Sequence, residues 1–341
     1  MNTSLQPVLA RLGRGGRLSA GEAEEAFGIV MDGEATAVQI GGMLMAMRAR
    51  GEAVEELTGA VTAMRARMTR VEAPENALDV CGTGGDGAAS LNISTAYTFV
   101  VAACGVPVAK HGNKAISSRA GGADVLRALG VNIEPPLERL PEILLEAGCV
   151  FLFAPRHHPG LRHAAQAREE LGTRTIFNLV GPMANPAGVR RQLMGIYDPA
   201  WSRPVAETLA ALGTEAAWIV HGGGLDELVL EGENQVVALQ NGVIREFSIT
   251  AADAGLQPVP LSALRGGDAV ENAAALLDVL RGARNGYRDT ILFNAAAALI
   301  VAGVAETLPQ GVACATAALD SGAALGVLET LRAASQEMSL A

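Results

Sequence analysis

The chain has 341 residues, of which 50% are hydrophobic and 4% aromatic, enough for two domains or one large α/β domain with a sizeable core. This composition excludes a small disulfide scaffold and a disordered chain. The formal net charge of −10, from 26 Lys plus Arg against 36 Asp plus Glu, opposes nonspecific binding to nucleic acid or to anionic membranes.

The start of the chain, Met1 to Ser4, lacks the basic segment of a secretory signal. The longest apolar runs, 97–109 and 295–304, are shorter than the roughly 20 residues that span a bilayer. The cysteines, which show no CxxC spacing, are typical of reduced thiols in a cytosol; they are Cys81, Cys104, Cys149 and Cys314. The sequence therefore predicts a cytoplasmic protein with no membrane and no nucleic-acid partner.

Residues 1–72 predict helices only, with a capping box at Ser19 and Glu22 ahead of one of them. After Pro74, short β-prone runs alternate with helical stretches; the runs are 77–81, 106–109, 150–153 and 217–220. This alternation is typical of parallel βαβ units, and the first two runs are expected to be neighbouring parallel strands. Further along, Gln240-Asn241-Gly242 predicts a hairpin turn, and the helices after it look structural, with Asn294 on an otherwise apolar face.

A glycine loop, Gly82-Thr83-Gly84-Gly85-Asp86-Gly87, follows the first predicted strand and fits the GxGxxG pattern. A dinucleotide site also needs an acidic residue about 20 positions on, and no Asp or Glu occurs between Gly87 and Asp124. What remains is a loop whose backbone N–H groups can approach phosphate oxygens, followed by Asn92, Ser94 and Thr95 at a helix start that favours anions. The loop therefore predicts a phosphate site, the alternative being a simple tight turn.

A second polar loop follows the second predicted strand, running from Lys110 through Lys114 to Ser117 and Ser118 and on to Asp124. Lys110 and Lys114 are the only lysines of the chain, and an ammonium group suits phosphate oxygens. Because the carboxyl ends of adjacent parallel strands form a ligand crevice, the two loops together predict a ligand with more than one phosphate.

Two adjacent carboxylates, Asp226 and Glu227, lie in a glycine-rich loop after the last predicted strand. They suit Mg²⁺, which usually arrives with substrate phosphates, although a solvated turn stays an alternative. All five histidines fall between Lys110 and this pair. A metal site formed by the three histidines within 157–163 is less favoured than solvated or capping histidines, because no carboxylate or cysteine accompanies them at ligand spacing. With no GxSxG elbow and no Cys/His nucleophile pair, the residues indicate binding and electrostatics rather than covalent catalysis.

At this point the sequence closely resembles the anthranilate phosphoribosyltransferase family of tryptophan biosynthesis. The matching stretches are GTGGDG with NIST within 82–95, KHGNKAISSRAGGADVLRALG at 110–130, FLFAPRHHPGLRHAAQAREELGTRTIFNLVGPMANPAG at 151–188, GLDEL at 224–228 and GGDAVENAAALL at 266–277. They follow one another in order and at consistent spacing along nearly the whole chain.

The resemblance implies an α/β fold with a small helical domain over 1–72, joined by a later segment within 160–190, and a large nucleoside-phosphorylase-like domain over 73–341 with a mostly parallel central sheet. It implies a homodimer. It also implies that phosphoribosyl pyrophosphate is bound by Gly82, Gly85, Asp86, Ser90, Asn92, Ser94, Thr95, Lys110, His111, Gly112, Asn113, Lys114, Ser117, Ser118 and Gly122. By the same resemblance Ser94, Asp226 and Glu227 bind Mg²⁺, and Gly82, Asn113 and Arg168 bind anthranilate.

Two departures from the family pattern affect fine affinity rather than activity. Ala120-Gly121-Gly122 stands where relatives often carry Ser-Gly-Ser, and Gly223-Gly224 stands where many carry Asp-Gly. Neither departure changes the metal pair.

The expected chemistry needs no strong base, because the aromatic amine of anthranilate is uncharged at neutral pH. We expect an oxocarbenium-like displacement with inversion, in which Lys110 and Mg²⁺ neutralise the leaving pyrophosphate and Arg168 binds the anthranilate carboxylate. Two alternatives are a pyrimidine nucleoside phosphorylase of the same fold, which uses free phosphate, and a non-catalytic relative that binds nucleic acid, which the net charge disfavours.

Overall fold

A computed structural model of the chain describes residues 4–85, 87, 90–114 and 119–337. Its strands form a 7-stranded sheet in the order β3-β2-β1-β4-β5-β6-β7. The strands are β1 (Leu78–Gly82), β2 (Val108–Gly112), β3 (Cys149–Phe153), β4 (Arg191–Gly195), β5 (Ala216–Gly222), β6 (Asn234–Gln240) and β7 (Val243–Ile249).

The α-helices of the described residues begin with the group α1 (Gln6–Leu12), α2 (Ala20–Met31), α3 (Ala37–Arg50) and α4 (Val54–Arg67). The helices that follow β1 are α5 (Ile93–Ala103), α6 (Gly122–Ala128), α7 (Leu140–Ala147), α8 (Ala154–His157), α9 (Arg162–Leu171), α10 (Phe177–Val180), α11 (Ser202–Ala211), α12 (Ala269–Leu280), α13 (Gly286–Ala302), α14 (Leu308–Asp320) and α15 (Ala323–Gln336). Short 3₁₀ helices occupy Leu137–Arg139, Pro159–Leu161, Pro199–Trp201, Ala251–Ala254 and Leu261–Leu264.

The sheet is parallel from β3 to β5, as the βαβ rhythm predicts. Strands β1 and β2 pair in parallel with Leu78 opposite Val108, so the predicted neighbours are confirmed. The sequence did not reveal β4, which pairs with β1 on one side and β5 on the other. The chain therefore runs outward from β1 to β3 and then returns to the opposite side of β1. This makes the gap between β1 and β4 the topological switch point, where open α/β sheets bind ligands.

The last two strands add an antiparallel hairpin to the sheet. Strand β6 pairs with β5 and β7, and the turn between β6 and β7 has Asn241 at φ 48° and Gly242 at φ 80°. Two consecutive left-handed residues are what a type I′ turn requires, so the hairpin predicted at Asn241-Gly242 is confirmed.

Both faces of the parallel part of the sheet are buried, and each contributes to a different core. Leu78 and Val80 of β1 face a core shared with α5, α6, α7 and α12 to α15. Cys81 of the same strand faces the other core, which contains α1 to α4, α9, α10 and α11. Because alternate residues of a strand point to opposite faces, these assignments follow from the pleat.

The first helices of the chain thus share one apolar core with α9, α10 and part of the sheet. The later segment expected within 160–190 includes Ala164, Ala167 and Phe177, which belong to this core. The boundary between a domain 1–72 and a domain 73–341 stays a prediction. Among the described residues, no single helix has the length and apolar character to cross a membrane, and one bent pair of helices, α14 with α15, passes that test only when taken together.

A buried ion pair joins the first helices to each other. The Glu56 side chain, 0% exposed, accepts hydrogen bonds from the backbone N–H of Leu18 (2.9 Å) and of Ala53 (2.9 Å) and from Arg50 Nη2 (2.8 Å). The capping box predicted at Ser19 is confirmed, with Ser19 Oγ accepting from Glu22 N. These charged and polar contacts hold the start of α2 and α4 in register.

Candidate active site

The carboxylate pair lies directly over the switch point of the sheet. Strands β1 and β4 both end in glycine at this place, Gly82 and Gly195. A Cβ added at Gly82 would lie 2.2 Å from Asp226 Oδ2, and one at Gly195 would lie 1.6 Å from the Asp226 carbonyl oxygen. Only glycine lets the carboxylate loop approach the two strand ends this closely.

The glycine loop after β1 holds the Asp226 side chain. Gly84 N donates a hydrogen bond of 2.7 Å to Asp226 Oδ2. Gly84 has φ +65° and Gly85 has φ +77°, left-handed backbone conformations that residues with side chains disfavour. The loop that the sequence assigns to phosphate therefore already binds one anionic group in this structure.

The start of α5 holds the Glu227 side chain. Ser94, in the first turn of α5, donates its backbone N–H to Glu227 Oε1 over 3.0 Å. A carboxylate is stabilised there because the first N–H groups of a helix lack intrahelical partners and carry the positive end of the helix dipole. Gly84 and Ser94 thus fix the two carboxylates from two different elements.

The donor set at this turn fits Mg²⁺. Within 4–85, 87, 90–114 and 119–337, no group of three or more His, Cys, Asp or Glu side chains is placed to hold a metal. Mg²⁺ commonly takes one or two protein carboxylates and completes its octahedron with water and substrate phosphates. Two adjacent carboxylates beside a phosphate-type loop meet that requirement, and the backbone N–H of Ser94 bonds to one of them.

Lys110 lies beneath the carboxylates rather than in open solvent. Its side chain is 5% exposed, and Nζ donates a 2.5 Å hydrogen bond to the Val80 carbonyl. Burial lowers the pKa of Lys110, and the negative charges of Asp79, Glu227 and Asp226 oppose that shift. The assignment of Lys110 to the leaving group stays a prediction.

Asp79 connects β1 to the end of β2, which includes Lys110, His111 and Gly112 of the segment expected to be a loop. Its buried carboxylate accepts from His111 N at 3.0 Å and from Gln192 Nε2 at 3.2 Å. Burial raises the pKa of Asp79, and the hydrogen bonds from Asn185 and from the His111 backbone oppose that shift. The position of the Lys110–His111 segment is therefore determined from inside the sheet.

Three of the five histidines, His111, His157 and His158, are buried in the protein interior. Burial lowers the pKa of His111 well below its usual range and that of His158 to about 4. The two rings lie 5.1 Å apart, and the Nε2 atom of each lacks a hydrogen-bond partner within the described part of the chain. His157 Nδ1 bonds to the Thr69 carbonyl at 2.9 Å, which makes it a structural contact.

The second polar loop is only partly described. Ser117 and Ser118 lie outside the described residues, as does Asp86 of the first loop. Asn113 and Lys114 are exposed, with Lys114 Nζ 5.6 Å from the centroid of the Phe153 ring. A Cβ at Gly122 would lie 3.0 Å from Thr95 Oγ1, so the loop returns against the start of α5.

Thr95 and Ser90 are two further residues of the expected phosphate site, and each has its own surroundings. Thr95 is 1% exposed, and its hydroxyl lacks a hydrogen-bond partner among the described residues. Ser90 forms an isolated antiparallel bridge with Arg265, and a Cβ at Gly266 would lie 2.6 Å from the Ser90 carbonyl oxygen. The chain just before α5 is thus fixed by the segment that leads into α12.

Arg168 lies in the last turn of α9, half-buried, with its guanidinium carbon 5.3 Å from the Phe177 ring centroid. Burial lowers the pKa of this guanidinium, which nevertheless stays charged at neutral pH. Phe177 begins α10, and the backbone of Gly181, just after that helix, lies close enough to His111 to oppose the lowering of its pKa. Arg168 and the end of β2 therefore lie near the same short helix.

Several residues of the site were not found by sequence reasoning. Arg174 donates to the Gly85 carbonyl and stacks 3.9 Å from the Tyr197 ring centroid. The side-chain oxygen of Asn92 accepts a hydrogen bond from Asn272 Nδ2 (2.9 Å), and its backbone carbonyl accepts one from the Tyr287 hydroxyl (3.1 Å). Their sequence neighbourhoods carry no phosphate or metal pattern, and only the family-like stretches 151–188 and 266–277 pointed to Arg174 and Asn272.

Comparison with known proteins gives matches to both parts of the chain. The model described as "Glycosyl transferase family, helical bundle domain" matches residues 6–68, and "Glycosyl transferase family, a/b domain" matches residues 74–325. The anthranilate phosphoribosyltransferase of Mesorhizobium japonicum is 56% identical over 329 residues, covering 96% of this chain and 98% of the relative.

Solved structures agree in fold over the same length. The anthranilate phosphoribosyltransferase of Thermus thermophilus has 42% identity and a TM-score of 0.92, covering 99% of this chain and 100% of that chain. The Saccharomyces cerevisiae enzyme in complex with PRPP and Mg has 26% identity and a TM-score of 0.89, and its complex with 4-fluoroanthranilate has 25% identity and a TM-score of 0.87. Each of the two yeast structures covers 98% of this chain and 99% of that chain.

Proposed function

Because the chain belongs to the anthranilate phosphoribosyltransferase family, its activity is transfer of the phosphoribosyl group from phosphoribosyl pyrophosphate (PRPP) to anthranilate, and we propose that this reaction takes place at the switch-point crevice beside Asp226 and Glu227. The observation that carries the proposal is the double attachment of the carboxylate pair. Gly84 N holds Asp226 and Ser94 N holds Glu227, so the glycine loop, the start of α5 and the acidic turn form one anion- and metal-binding surface.

The PRPP subsite comprises the glycine loop, the start of α5 and the segment after β2. The positive φ of Gly85 and Gly87 and the positive end of the α5 dipole support this, because turns of this kind and helix starts favour phosphate oxygens. Asn92, fixed by Asn272 and Tyr287, stands at the same helix start. The yeast relative was solved with PRPP and Mg, which supports the same ligands here.

Asp226 and Glu227 are the residues that would hold Mg²⁺, with Ser94 beside them. When bound, Mg²⁺ supplies positive charge that neutralises pyrophosphate as it leaves. The hydrogen bonds from Gly84 N and Ser94 N hold the Asp226 and Glu227 carboxylates in place before a metal binds.

Anthranilate binds beside the segment after β2, with its carboxylate paired to Arg168. The Phe177 ring against the guanidinium of Arg168 and the proximity of Gly181 to His111 support this, because they bring α9 and the end of β2, which leads into this segment, close to α10. Gly82 and Asn113 are the other expected contacts. The yeast complex with 4-fluoroanthranilate supports an anthranilate subsite in this fold.

The chemistry is a displacement at the anomeric carbon with inversion. The neutral aromatic amine forms the C–N bond as the C–O bond to pyrophosphate breaks, and the amine proton passes to solvent. No general base is required, so the chain contributes by orienting the two substrates and by stabilising the departing negative charge. Lys110, buried near the carboxylates, adds to the positive potential beneath the crevice.

Fluorescence-monitored consumption of anthranilate tests the function directly. We expect the signal to fall only when PRPP and Mg²⁺ are both present, with one pyrophosphate released per anthranilate consumed. Phosphate-dependent cleavage of pyrimidine nucleosides without any anthranilate dependence would instead indicate the phosphorylase alternative.

Arg168→Ala tests the assignment of the anthranilate subsite. We expect the KM for anthranilate to rise by about tenfold or more while the KM for PRPP changes little, because a charge-assisted hydrogen bond to one substrate is lost. Arg162→Ala, an exposed arginine at the opposite end of α9, is the matched control. Equal effects of Arg168→Ala on the two KM values would remove the assignment.

We also propose that the chain forms a homodimer in the cytoplasm. Val38 and Met45 of α3 support the dimer, since they are 85% and 37% exposed and, seven residues apart, lie on one side of the helix. The cytoplasmic compartment stays a prediction from the cysteine usage.

A further inference from the structure

The two residues after the carboxylate pair, Leu228 and Val229, are fully buried but belong to no strand. Their peptide groups therefore cannot be satisfied by the sheet, and a buried N–H or C=O without a partner is strongly destabilising. The partners that they have are asparagine side chains from two different elements.

Asn294 holds the peptide groups of Leu228. Its Oδ1 accepts from Leu228 N at 3.0 Å, and its Nδ2 donates to the Leu228 carbonyl at 2.8 Å and to the Thr290 carbonyl at 2.9 Å. Asn294 is 0% exposed in the middle of α13, where Phe293, Ala295 and their neighbours are apolar. A polar residue in such a helix is unfavourable unless its amide is fully bonded, as it is here.

Asn234 holds Val229 in the same way. Its Oδ1 accepts from Val229 N at 2.7 Å, and its Nδ2 donates to the Val229 carbonyl at 2.9 Å and to the Ile249 carbonyl at 3.2 Å. Asn234 is the first residue of β6 and is also 0% exposed. A Cβ at Gly222 would lie 1.9 Å from Asn234 Oδ1, so the end of β5 lies against this side chain.

The asparagine pair, Asn234 and Asn294, thus fixes two successive residues immediately after Glu227. On the other side, Gly84 N and Ser94 N fix the oxygens of Asp226 and Glu227. The chain path from Asp226 to Val229 is therefore determined at both ends, once by the phosphate-binding elements and once by α13 and β6.

We propose that Asn234 and Asn294 are positioning residues for the Mg²⁺-binding carboxylates. The inference rests on the function proposed above, because it concerns the same acidic turn. Both asparagines hydrogen-bond to the backbone of Leu228 or Val229. Each acts through the backbone, holding the turn that carries Asp226 and Glu227, so that Mg²⁺ binding does not include the cost of ordering that turn.

A purely structural role would have a different signature. If the asparagine pair only satisfied buried peptide groups, its removal would lower the melting temperature and leave the metal dependence of ligand binding unchanged. If it positions the carboxylates, the metal dependence shifts by more than the loss of stability explains.

The test is calorimetric titration of PRPP into the full-length chain without anthranilate, at a series of Mg²⁺ concentrations, so that no turnover occurs. We expect Asn294→Ala and Asn234→Ala each to raise the Mg²⁺ concentration for half-maximal PRPP binding by about tenfold, the range found when supporting residues around metal ligands are lost. The residual PRPP affinity without Mg²⁺ is expected to stay within twofold of the wild-type value, as is the KM for anthranilate in steady-state assays.

Asn132→Ala is the matched control for an asparagine that bonds to backbone far from the turn. Asn132 Nδ2 donates to the Ser335 carbonyl at 3.1 Å, and its Oδ1 accepts from Glu134 N at 3.0 Å. Phe293→Leu is the control for loss of packing in α13, because Phe293 is buried next to Asn294. Both variants are expected to keep the wild-type Mg²⁺ midpoint.

The outcomes separate the two proposals. A wild-type Mg²⁺ midpoint in Asn294→Ala and Asn234→Ala, with a lower melting temperature, overturns the positioning role and leaves the function intact. A wild-type chain without Mg²⁺-dependent PRPP binding overturns both. If Asn294→Ala fails to fold, Asn294→Ser replaces it, because serine keeps a hydroxyl donor in the same place. We expect Asn294→Ser to shift the Mg²⁺ midpoint in the same direction by a smaller amount. A folded Asn294→Ser with an unchanged midpoint would also overturn the positioning role.

Discussion

Gly82 and Gly195 are important because a methyl group at either position would displace Asp226. Both strand ends contact Asp226, and the Cβ positions would lie 2.2 Å and 1.6 Å from atoms of that residue. The Gly195 contact is to backbone, which cannot rotate away as a side chain can. A side chain at position 195 must therefore move the acidic turn itself.

Gly195→Ala is expected to lower kcat/KM by about 10²-fold, because displacing the acidic turn of the proposed active site by even 1 Å is enough for a loss of that size. Gly326→Ala is the control, since Gly326 lies in α15 with nothing within 4 Å of its Cβ position. That change is expected to stabilise the chain by about 0.5–1 kcal/mol and to leave kcat/KM unchanged. Steady-state kinetics and urea denaturation of the two variants make the comparison, and near-wild-type activity of Gly195→Ala would contradict the geometry.

The buried histidines make stability depend on acidity. Burial lowers the pKa of His158 to about 4 in the folded chain, while the unfolded chain takes up that proton near pH 6.5. Between these values the unfolded state binds more protons than the folded state. The contribution of neutral His158 to the free energy of unfolding is therefore complete above pH 6.5 and is lost as the pH falls toward 4. Its full size is roughly 3 kcal/mol.

Urea denaturation between pH 4.5 and 7.5 measures this contribution. We expect the free energy of unfolding of the wild-type chain to fall with decreasing pH more steeply than that of His158→Asn. His163→Asn, at a half-exposed histidine of α9, is the control and should keep the wild-type slope. Parallel pH profiles for the wild type and His158→Asn would show that His158 is not responsible.

Sequence reasoning found the residues of the site that carry recognisable chemistry. Asp226, Glu227, Gly82 and Ser94 were named from carboxylate, glycine and helix-start patterns or from the family resemblance, and the structure brings them together. Asn234 and Asn294 were not assigned to the site, because their role comes from contacts with peptide groups that are distant in sequence. An asparagine within an apolar helix shows that a partner exists but does not identify it.

At the scale of elements, the strands rich in β-branched and aromatic residues were predicted, and β4 was not. Arg191-Gln192-Leu193-Met194-Gly195 has no β-branched residue and no alternation of polar and apolar residues. Its pairing with β1 and β5 determines it as a strand. The switch point, and with it the location of the crevice, therefore depends on tertiary pairing that local pattern does not encode.

Substitution of Glu56 tests how the first helices are joined to each other. Glu56→Ala removes the buried partner of Arg50 and two backbone hydrogen bonds, and we expect it to lower the free energy of unfolding by about 3 kcal/mol. Glu246→Ala removes an exposed partner of Arg203 and should change the same quantity by less than about 1 kcal/mol. Urea denaturation followed by circular dichroism compares them, and equal losses would mean that the Glu56 contacts add nothing beyond a surface ion pair.

For the whole molecule, the exposed side of α3 predicts the oligomeric state. Val38→Asp would place a carboxylate in the proposed interface, and we expect it to convert a dimer into a monomer in light scattering coupled to gel filtration. Val270→Asp, at another exposed valine (70% exposed), on α12, is expected to leave the mass unchanged. A wild-type chain that elutes as a monomer, or an unchanged mass in Val38→Asp, would contradict the dimer proposed through this side of α3.

The backbone amides of Leu228 and Val229 donate to asparagine side chains rather than to a neighbouring strand. Their hydrogens should exchange with deuterium only during openings that detach α13 or β6, although by sequence they belong to a surface turn. A single peptide over 225–230, followed by mass spectrometry, would thus report the slowest fluctuations of two separate elements. Slow deuterium uptake in this loop would show that its order depends on hydrogen bonds in the protein interior.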